Sequence, residues 1–224
     1  MASILMVVTN ACKIMNGKDT GVWLSEFAEA YLAFHDAGHH VIVASPRGGE
    51  APIDPTSTGH VMMKEWEGAV EALLHTVSLD QVDCDQLDGV FLAGGHGTMF
   101  DFPGSDTLQR VLQKMAEANK VIGAVCHGSA GFTRLVMPDG TPFLKGRRLT
   151  TFTNQEEKEM DLDKQMPFLL ESKVRELGAT FVSAPIFTEN VEVDGNVVTG
   201  QNPQSTIRTA QKFLEKIEGM KHPC

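Results

Sequence analysis

The stretch Val121-Ile122-Gly123-Ala124-Val125-Cys126-His127-Gly128-Ser129-Ala130-Gly131 decides the fold. Five apolar residues in a row read as a strand buried on both faces, which places it inside a parallel sheet. It runs without a turn signal into a set of small residues, so the chain must leave the sheet through a sharp turn into a helix. Small neighbours such as Ala124 and Gly128 permit that turn. The residue at its apex, Cys126, is pushed above the sheet edge, the position of a nucleophile elbow.

The surrounding sequence fits the same sheet. Gly89-Val90-Phe91-Leu92-Ala93 is a second fully apolar strand, ending in Gly94-Gly95-His96-Gly97-Thr98. Residues 105–119 between the two read as a helix with Ser105 as its N-cap. At the N-terminus, residues 3–9 form a strand. Leu24, Phe27, Ala28, Tyr31 and Leu32 then recur at helical spacing, which predicts a helix over 21–37 that Gly38 ends. His40-Val41-Ile42-Val43-Ala44-Ser45 follows as a strand, completing a βαβ unit with a right-handed crossover. Residues 46–61 read as a loop and 64–76 as a helix. Further on come a strand over 148–152, a helix over 167–177, a strand over 180–183, a hairpin about Asp194-Gly195, and a closing helix over 203–217. With no repeat or linker, residues 1–224 make one α/β domain, flavodoxin-like and doubly wound, with a mostly parallel central sheet flanked by helices.

Composition narrows the function. A chain of 224 residues can bury its own core. Twenty-nine acidic against nineteen basic side chains give a formal charge of -10, which argues against a nucleic-acid partner and an anionic membrane. No apolar stretch approaches a membrane span, and residues 4–8 are too short for a signal peptide. Cys12, Cys84, Cys126 and Cys224 form no close pair, so the reading is four reduced thiols in a cytoplasmic protein.

In open parallel sheets ligands bind outside the carboxyl ends of the strands, which puts the two small-residue segments at the site. A cysteine closing a buried strand is more often an inert core thiol. The adjacent histidine and small neighbours tip the reading to a nucleophile. Helix N–H groups directed at its sulfur would favour the thiolate. The His127 N–H then makes half of an oxyanion hole, and the Gly95 N–H is a candidate for the other half. His127 needs a carboxylate to orient it, and the candidates lie in Gln155-Glu156-Glu157-Lys158-Glu159, although that run by itself reads as a solvated helix start. Glu26 lies off the apolar stripe of its helix and reads as surface. Trp23 and Trp66 read as packing residues.

These motifs resemble the ThiJ/PfpI superfamily. The matching stretches are Gly95-His96-Gly97-Thr98-Met99-Phe100-Asp101-Phe102-Pro103, Ala124-Val125-Cys126-His127-Gly128, Thr20-Gly21-Val22-Trp23-Leu24-Ser25-Glu26, Phe152-Thr153-Asn154 and Val198-Thr199-Gly200-Gln201-Asn202-Pro203. They are most similar to the heat-shock chaperone-like branch, whose members act as glutathione-independent glyoxalases (glyoxalase III). The resemblance implies Cys126 as nucleophile with His127. It implies Glu26 as the acid beside the thiol, Glu157 or its neighbour Glu156 as third triad member, and Gly95 as oxyanion donor. It further implies small reactive carbonyls as substrates, no cofactor and a homodimer. Ser129 departs from the proline that relatives often carry there. The two-histidine, one-carboxylate metal site of some members finds no counterpart in the sequence, so no metal is expected.

Three rival readings stand beside it. A class I amidotransferase needs a His-x-Glu pair far beyond the cysteine, and the only histidine after His127 is His222. An intracellular cysteine peptidase shares the elbow. A holdase or redox sensor would use the chain without turnover at Cys126, the first through an exposed apolar patch and the second through thiol oxidation.

Overall fold

The computed structural model describes residues 1–59 and 64–221. His222, Cys224 and the last part of the 46–61 loop lie outside the described residues. In chain order the elements are β1 (Ser3–Val7), α1 (Leu24–Asp36), β2 (His40–Ser45), α2 (Glu67–Leu74), β3 (Val77–Ser78), β4 (Gly89–Leu92), α3 (Thr98–Asp101), α4 (Asp106–Glu117), β5 (Val121–Val125), β6 (Arg148–Leu149), α5 (Asn154–Glu159), α6 (Leu170–Glu176), β7 (Thr180–Phe181), β8 (Val191–Asp194), β9 (Val197–Gly200) and α7 (Thr206–Lys221). Among the described residues, seven strands form one sheet in the order β3-β2-β1-β4-β5-β9-β8. All neighbours are parallel except the β8–β9 hairpin. This is the doubly wound architecture the strand–helix alternation predicts. No described helix is long and apolar enough to cross a membrane.

The period of two along each strand sorts the core into halves. Ile4, Met6 and Val8 of the first strand segment join Phe27, Phe34 and Phe213 on the face under α1 and α7. Leu5 and Val7 join Leu108, Leu112, Leu170 and Val174 under α4 and α6. Phe34, Phe91 and Phe213 meet with ring centroids 5.1–5.6 Å apart. Gly123 makes room for them, because a Cβ there would lie 2.7 Å from ring carbons of both Phe91 and Phe213.

Several boundaries differ from the sequence reading. β1 ends at Val7, since the hydroxyl of Thr9 turns away to Asp101. The strand read over 148–152 keeps only Arg148–Leu149 and pairs with β7 in a separate two-stranded sheet. Beyond it, Thr150 donates its N–H to the Thr199 side chain, and Thr153 already caps α5. β3 is too short for any periodicity to show. Ser105 does cap α4, accepting from the Leu108 N–H at 3.2 Å.

The loop after β1 is fastened to α3 by the half-buried carboxyl group of Asp101. Thr9 Oγ1 lies 2.8 Å from both Asp101 oxygens, and the Asn10 N–H donates to Asp101 Oδ2 at 2.8 Å. Burial still outweighs these bonds and pushes the Asp101 carboxyl up to about 6. A carboxyl raised in the folded state stabilises the fold below its ordinary range, and that contribution is lost as pH rises through about 6. Asp101→Asn is therefore expected to be more stable than wild type above pH 6, by about 1–3 kcal/mol, and to lose the advantage near pH 4. Urea melts at the two pH values measure this; a loss of stability above pH 6 that shrinks towards pH 4 would show that Asp101 serves as an ion.

Candidate active site

Cys126 stands at the carboxyl end of β5 with φ of +55°. That left-handed backbone is strained for a residue with a Cβ, and the tight turn imposes it. Gly128 is needed beside it, because a Cβ there would sit 2.3 Å from the Leu92 carbonyl oxygen. The element that follows is a short 3-10 helix, Cys126–Phe132, where the sequence predicts an α-helix. Cys126 is only 4% exposed.

His127 is fully buried, and its ring turns back toward the thiol, with Cys126 Sγ 3.2 Å from Nδ1. Its Nε2 lies 2.6 Å from Glu157 Oε2, and His96 Nε2 lies 2.6 Å from Glu157 Oε1. The Glu156–Glu157 run is thus no solvated helix start. A capping box between Thr153 and Glu156 sets the phase of α5 and turns Glu157 inward. Glu156, the register alternative, points elsewhere: its Oε2 accepts from the Thr153 N–H and hydroxyl, and its Oε1 from the Phe187 N–H, Gln201 and Asn202.

Glu26 departs from the helical-pattern reading and lies where the family resemblance puts it, buried near the thiol. It lies in the first turn of α1 with no exposure at all, where the amphipathic pattern puts it at the surface. α1 begins at the carboxyl edge of the sheet, so its first turn reaches the site while its later turns bury Ala30 and Phe34 in the core. The carboxyl group presses on Gly94, where a Cβ would come within 2.1 Å of Glu26 Oε2 and 3.0 Å of the Cys126 Cβ. Neither Glu26 oxygen has a well-aligned hydrogen-bond partner among the described residues.

Burial raises the Glu26 carboxyl well above its ordinary range, with only weak opposing pulls from the Cys126 thiol and the Gly94 backbone. Burial likewise raises the Cys126 thiol, and a charge on Glu26 would raise it further. Both directions run against the expectation of a thiolate favoured by helix N–H groups, and favour a carboxylic acid beside a thiol. Burial, then the nearby His96, lowers His127 and keeps it neutral. Burial acts to raise Glu157, but its two imidazole partners outweigh it and hold the group well below the usual carboxylate range. The consistent state is an ionised Glu157 accepting Nε2–H from both rings. His127 Nδ1 is then free to accept the thiol proton.

Gly95 and His127, the two oxyanion candidates, are tied together by a residue the sequence reading passed over. Thr98 Oγ1 lies 2.8 Å from the Gly95 carbonyl and 2.7 Å from that of His127. The His127 N–H points at the sulfur. His96 was also unassigned; its place in the motif beside Gly95 was the only signal. His96, His127 and Glu157 bring ligand atoms within 4.8 Å of one another, a donor set that suits a zinc-type ion. The sequence reading expected no metal, having placed no such trio. The two imidazole hydrogen bonds already satisfy this carboxylate without an ion.

Above the thiol lies a cavity of about 390 Å³ walled by Trp23, Phe152, Met160 and Phe187. Trp23, read as a packing residue, belongs to this wall. The arrangement can take a proton from Cys126, present it to an electrophile, stabilise an oxyanion, and shuttle a second proton through Glu26.

Comparison with known proteins gives concordant results. The DJ-1/PfpI family profile matches residues 18–216. Glyoxalase 3 of Candida albicans is 30% identical, covering 97% of this chain and 99% of its own. A glutathione-independent glyoxalase of Schizosaccharomyces pombe is 29% identical over 92% of this chain and 91% of its own. The crystal structure of glyoxalase III from Candida albicans superposes with a TM-score of 0.86 at 29% identity, covering 96% and 97% of the two chains. Rapid Encystment Protein 24 kDa of Francisella tularensis superposes at 0.93 with 32% identity, covering 97% and 99%.

Because its carboxyl is raised by burial, Glu26 contributes stability at low pH that is lost as pH climbs above the ordinary carboxylate range. Glu26→Gln should therefore melt higher than wild type at pH 8 and no higher at pH 4. A lower melting temperature at pH 8 would mean that the Glu26 ion is paired. Gly94→Ala should cost about 2–4 kcal/mol, because its methyl group has no space beside Glu26 and the Val125 carbonyl.

Proposed function

The chain belongs to the DJ-1/PfpI family, and from that premise we propose that it is a glutathione-independent glyoxalase. It converts methylglyoxal and similar 2-oxoaldehydes to 2-hydroxy acids through a hemithioacetal on Cys126. The observation that carries this reading is a buried, neutral Glu26 set against a thiol whose proton acceptor is already in place.

The steps balance without a cofactor. His127 Nδ1 takes the thiol proton, and Sγ attacks the aldehyde carbon, C1. The oxyanion forms toward the Gly95 and His127 N–H groups, and Glu26 protonates it to give the hemithioacetal. Glu26, now a carboxylate, removes the hydrogen from C1. The imidazolium of His127 protonates the oxygen on C2, which yields an enediol. Glu26 returns its proton to C2 while His127 takes the proton from the C1 oxygen, leaving a thioester. Water then attacks the thioester with the Glu26 carboxylate as base, while the His127 imidazolium protonates the departing sulfur, releasing the 2-hydroxy acid and restoring both the thiol and the Glu26 acid. The carbonyl redox change is internal, since C1 is oxidised as C2 is reduced. Holding Glu26 near the protonation point for both directions is what makes one carboxyl serve as acid and base.

The mostly apolar cavity of about 390 Å³ over Cys126 has room for a small carbonyl compound and supports that class over a polypeptide substrate. The same reading places the protein in the cytoplasm, as a homodimer.

Wild type should consume methylglyoxal and form lactate without glutathione. Cys126→Ala is expected to lose at least about 1,000-fold and Glu26→Gln about 100- to 10,000-fold in kcat. Retained turnover in Cys126→Ala, or none in a folded, reduced wild type, would exclude the mechanism.

A further inference from the structure

The cavity over Cys126 is far larger than methylglyoxal requires. It encloses about 390 Å³, whereas an apolar cavity of about 150 Å³ already holds a benzene ring. Trp23, Phe152, Met160 and Phe187 supply apolar wall, and no lysine, arginine, aspartate or glutamate lines it among the described residues. Ser25, His96, His127 and Gln204 are the polar side chains of the lining, so a charged substrate arm would lose hydration there without the counter-charge of an acid, a lysine or an arginine.

One wall is held by a strained backbone. Phe187 has φ of +54°, a conformation an aromatic residue rarely adopts. Its N–H donates to Glu156 Oε1 at 2.8 Å, and that oxygen also accepts from Asn202 at 2.8 Å and Gln201 at 3.2 Å. With the two bonds from Thr153 on Oε2, a fully buried carboxylate takes five hydrogen bonds, one of them fixing the Phe187 backbone. The ring so placed lies 6.4 Å from that of Phe152, which itself packs 4.5 Å from the His127 ring. An aromatic row therefore leads from the cavity wall to the proton acceptor of the thiol.

We propose that Phe187 determines specificity, with Glu156 as its positioning residue, and that the site favours 2-oxoaldehydes carrying an uncharged aromatic or bulky apolar arm over methyl- or carboxylate-bearing ones. This rests on the glyoxalase reading above. Ring stacking and apolar burial act on the arm while the aldehyde meets Cys126, so the preference appears in kcat/KM.

The test compares kcat/KM for phenylglyoxal, methylglyoxal and 4,5-dioxopentanoate, a 2-oxoaldehyde with a carboxylate arm, in wild type, Phe187→Ala and Glu156→Gln. Melting curves confirm folding. Wild type is expected to favour phenylglyoxal over methylglyoxal by about 10- to 100-fold and to reject 4,5-dioxopentanoate. Phe187→Ala should shrink the phenylglyoxal-to-methylglyoxal ratio at least tenfold, a comparison in which the intrinsic reactivities of the two aldehydes cancel. Glu156→Gln should raise KM for phenylglyoxal more than it lowers kcat. A wild-type ratio near one, or a ratio that Phe187→Ala leaves intact, would overturn the specificity and leave the glyoxalase reading standing. If folded wild type consumes none of the three aldehydes, the glyoxalase reading fails and takes this inference with it.

Discussion

The pair of 2.6 Å hydrogen bonds that Glu157 accepts from His127 and His96 governs the chemistry at this end of the sheet. Adjacent side chains on a tight βα turn diverge, so Cys126 and His127 do not face each other by default. Glu157 draws the far nitrogen of the His127 ring inward and leaves Nδ1 facing the sulfur. Because both rings donate to it, the carboxylate keeps its charge in a site that buries it almost completely.

Glu26 lies near the same thiol in the opposite state. It has no imidazole to donate to it, and burial therefore drives it to the neutral acid. Two glutamates in one site are divided by their partners alone: one is a fixed anion that orients a base, the other a neutral group able to give and take a proton. Gly94 makes this division feasible, since any side chain there would expel the Glu26 carboxyl from the thiol.

The first turn of α5 serves two purposes. Its capping box puts consecutive glutamates on different sides of the helix, so Glu157 meets the histidines while Glu156 gathers the Phe187 loop and the Gln201–Asn202 segment after β9. The walls of the cavity and the base beside the thiol are consequently referenced to one helix end. Thr98 likewise joins the segment after β4 to the segment after β5, through the carbonyls of Gly95 and His127.

The strands, their alternation with helices and the apex position of Cys126 were legible in the sequence, because runs such as 121–125 and 89–92 are apolar on both faces and only a parallel sheet buries both. Small residues at Gly94, Gly128 and Gly95 likewise announced close approach. What periodicity misjudged was Glu26 and the Glu156–Glu157 run: a helical pattern reports which face meets the core on average, and it cannot report that one turn at a helix end is covered by a neighbouring loop. The choice between Glu156 and Glu157 depended on the phase that a side-chain cap imposes on α5. The role of Phe187 depended on a left-handed backbone fixed by a residue 31 positions away. Local sequence determined the fold and the place of Cys126 at the end of its strand because both follow from burial patterns along the chain. Protonation states and cavity walls were decided only in the tertiary structure, because they depend on which distant groups share the same dry space.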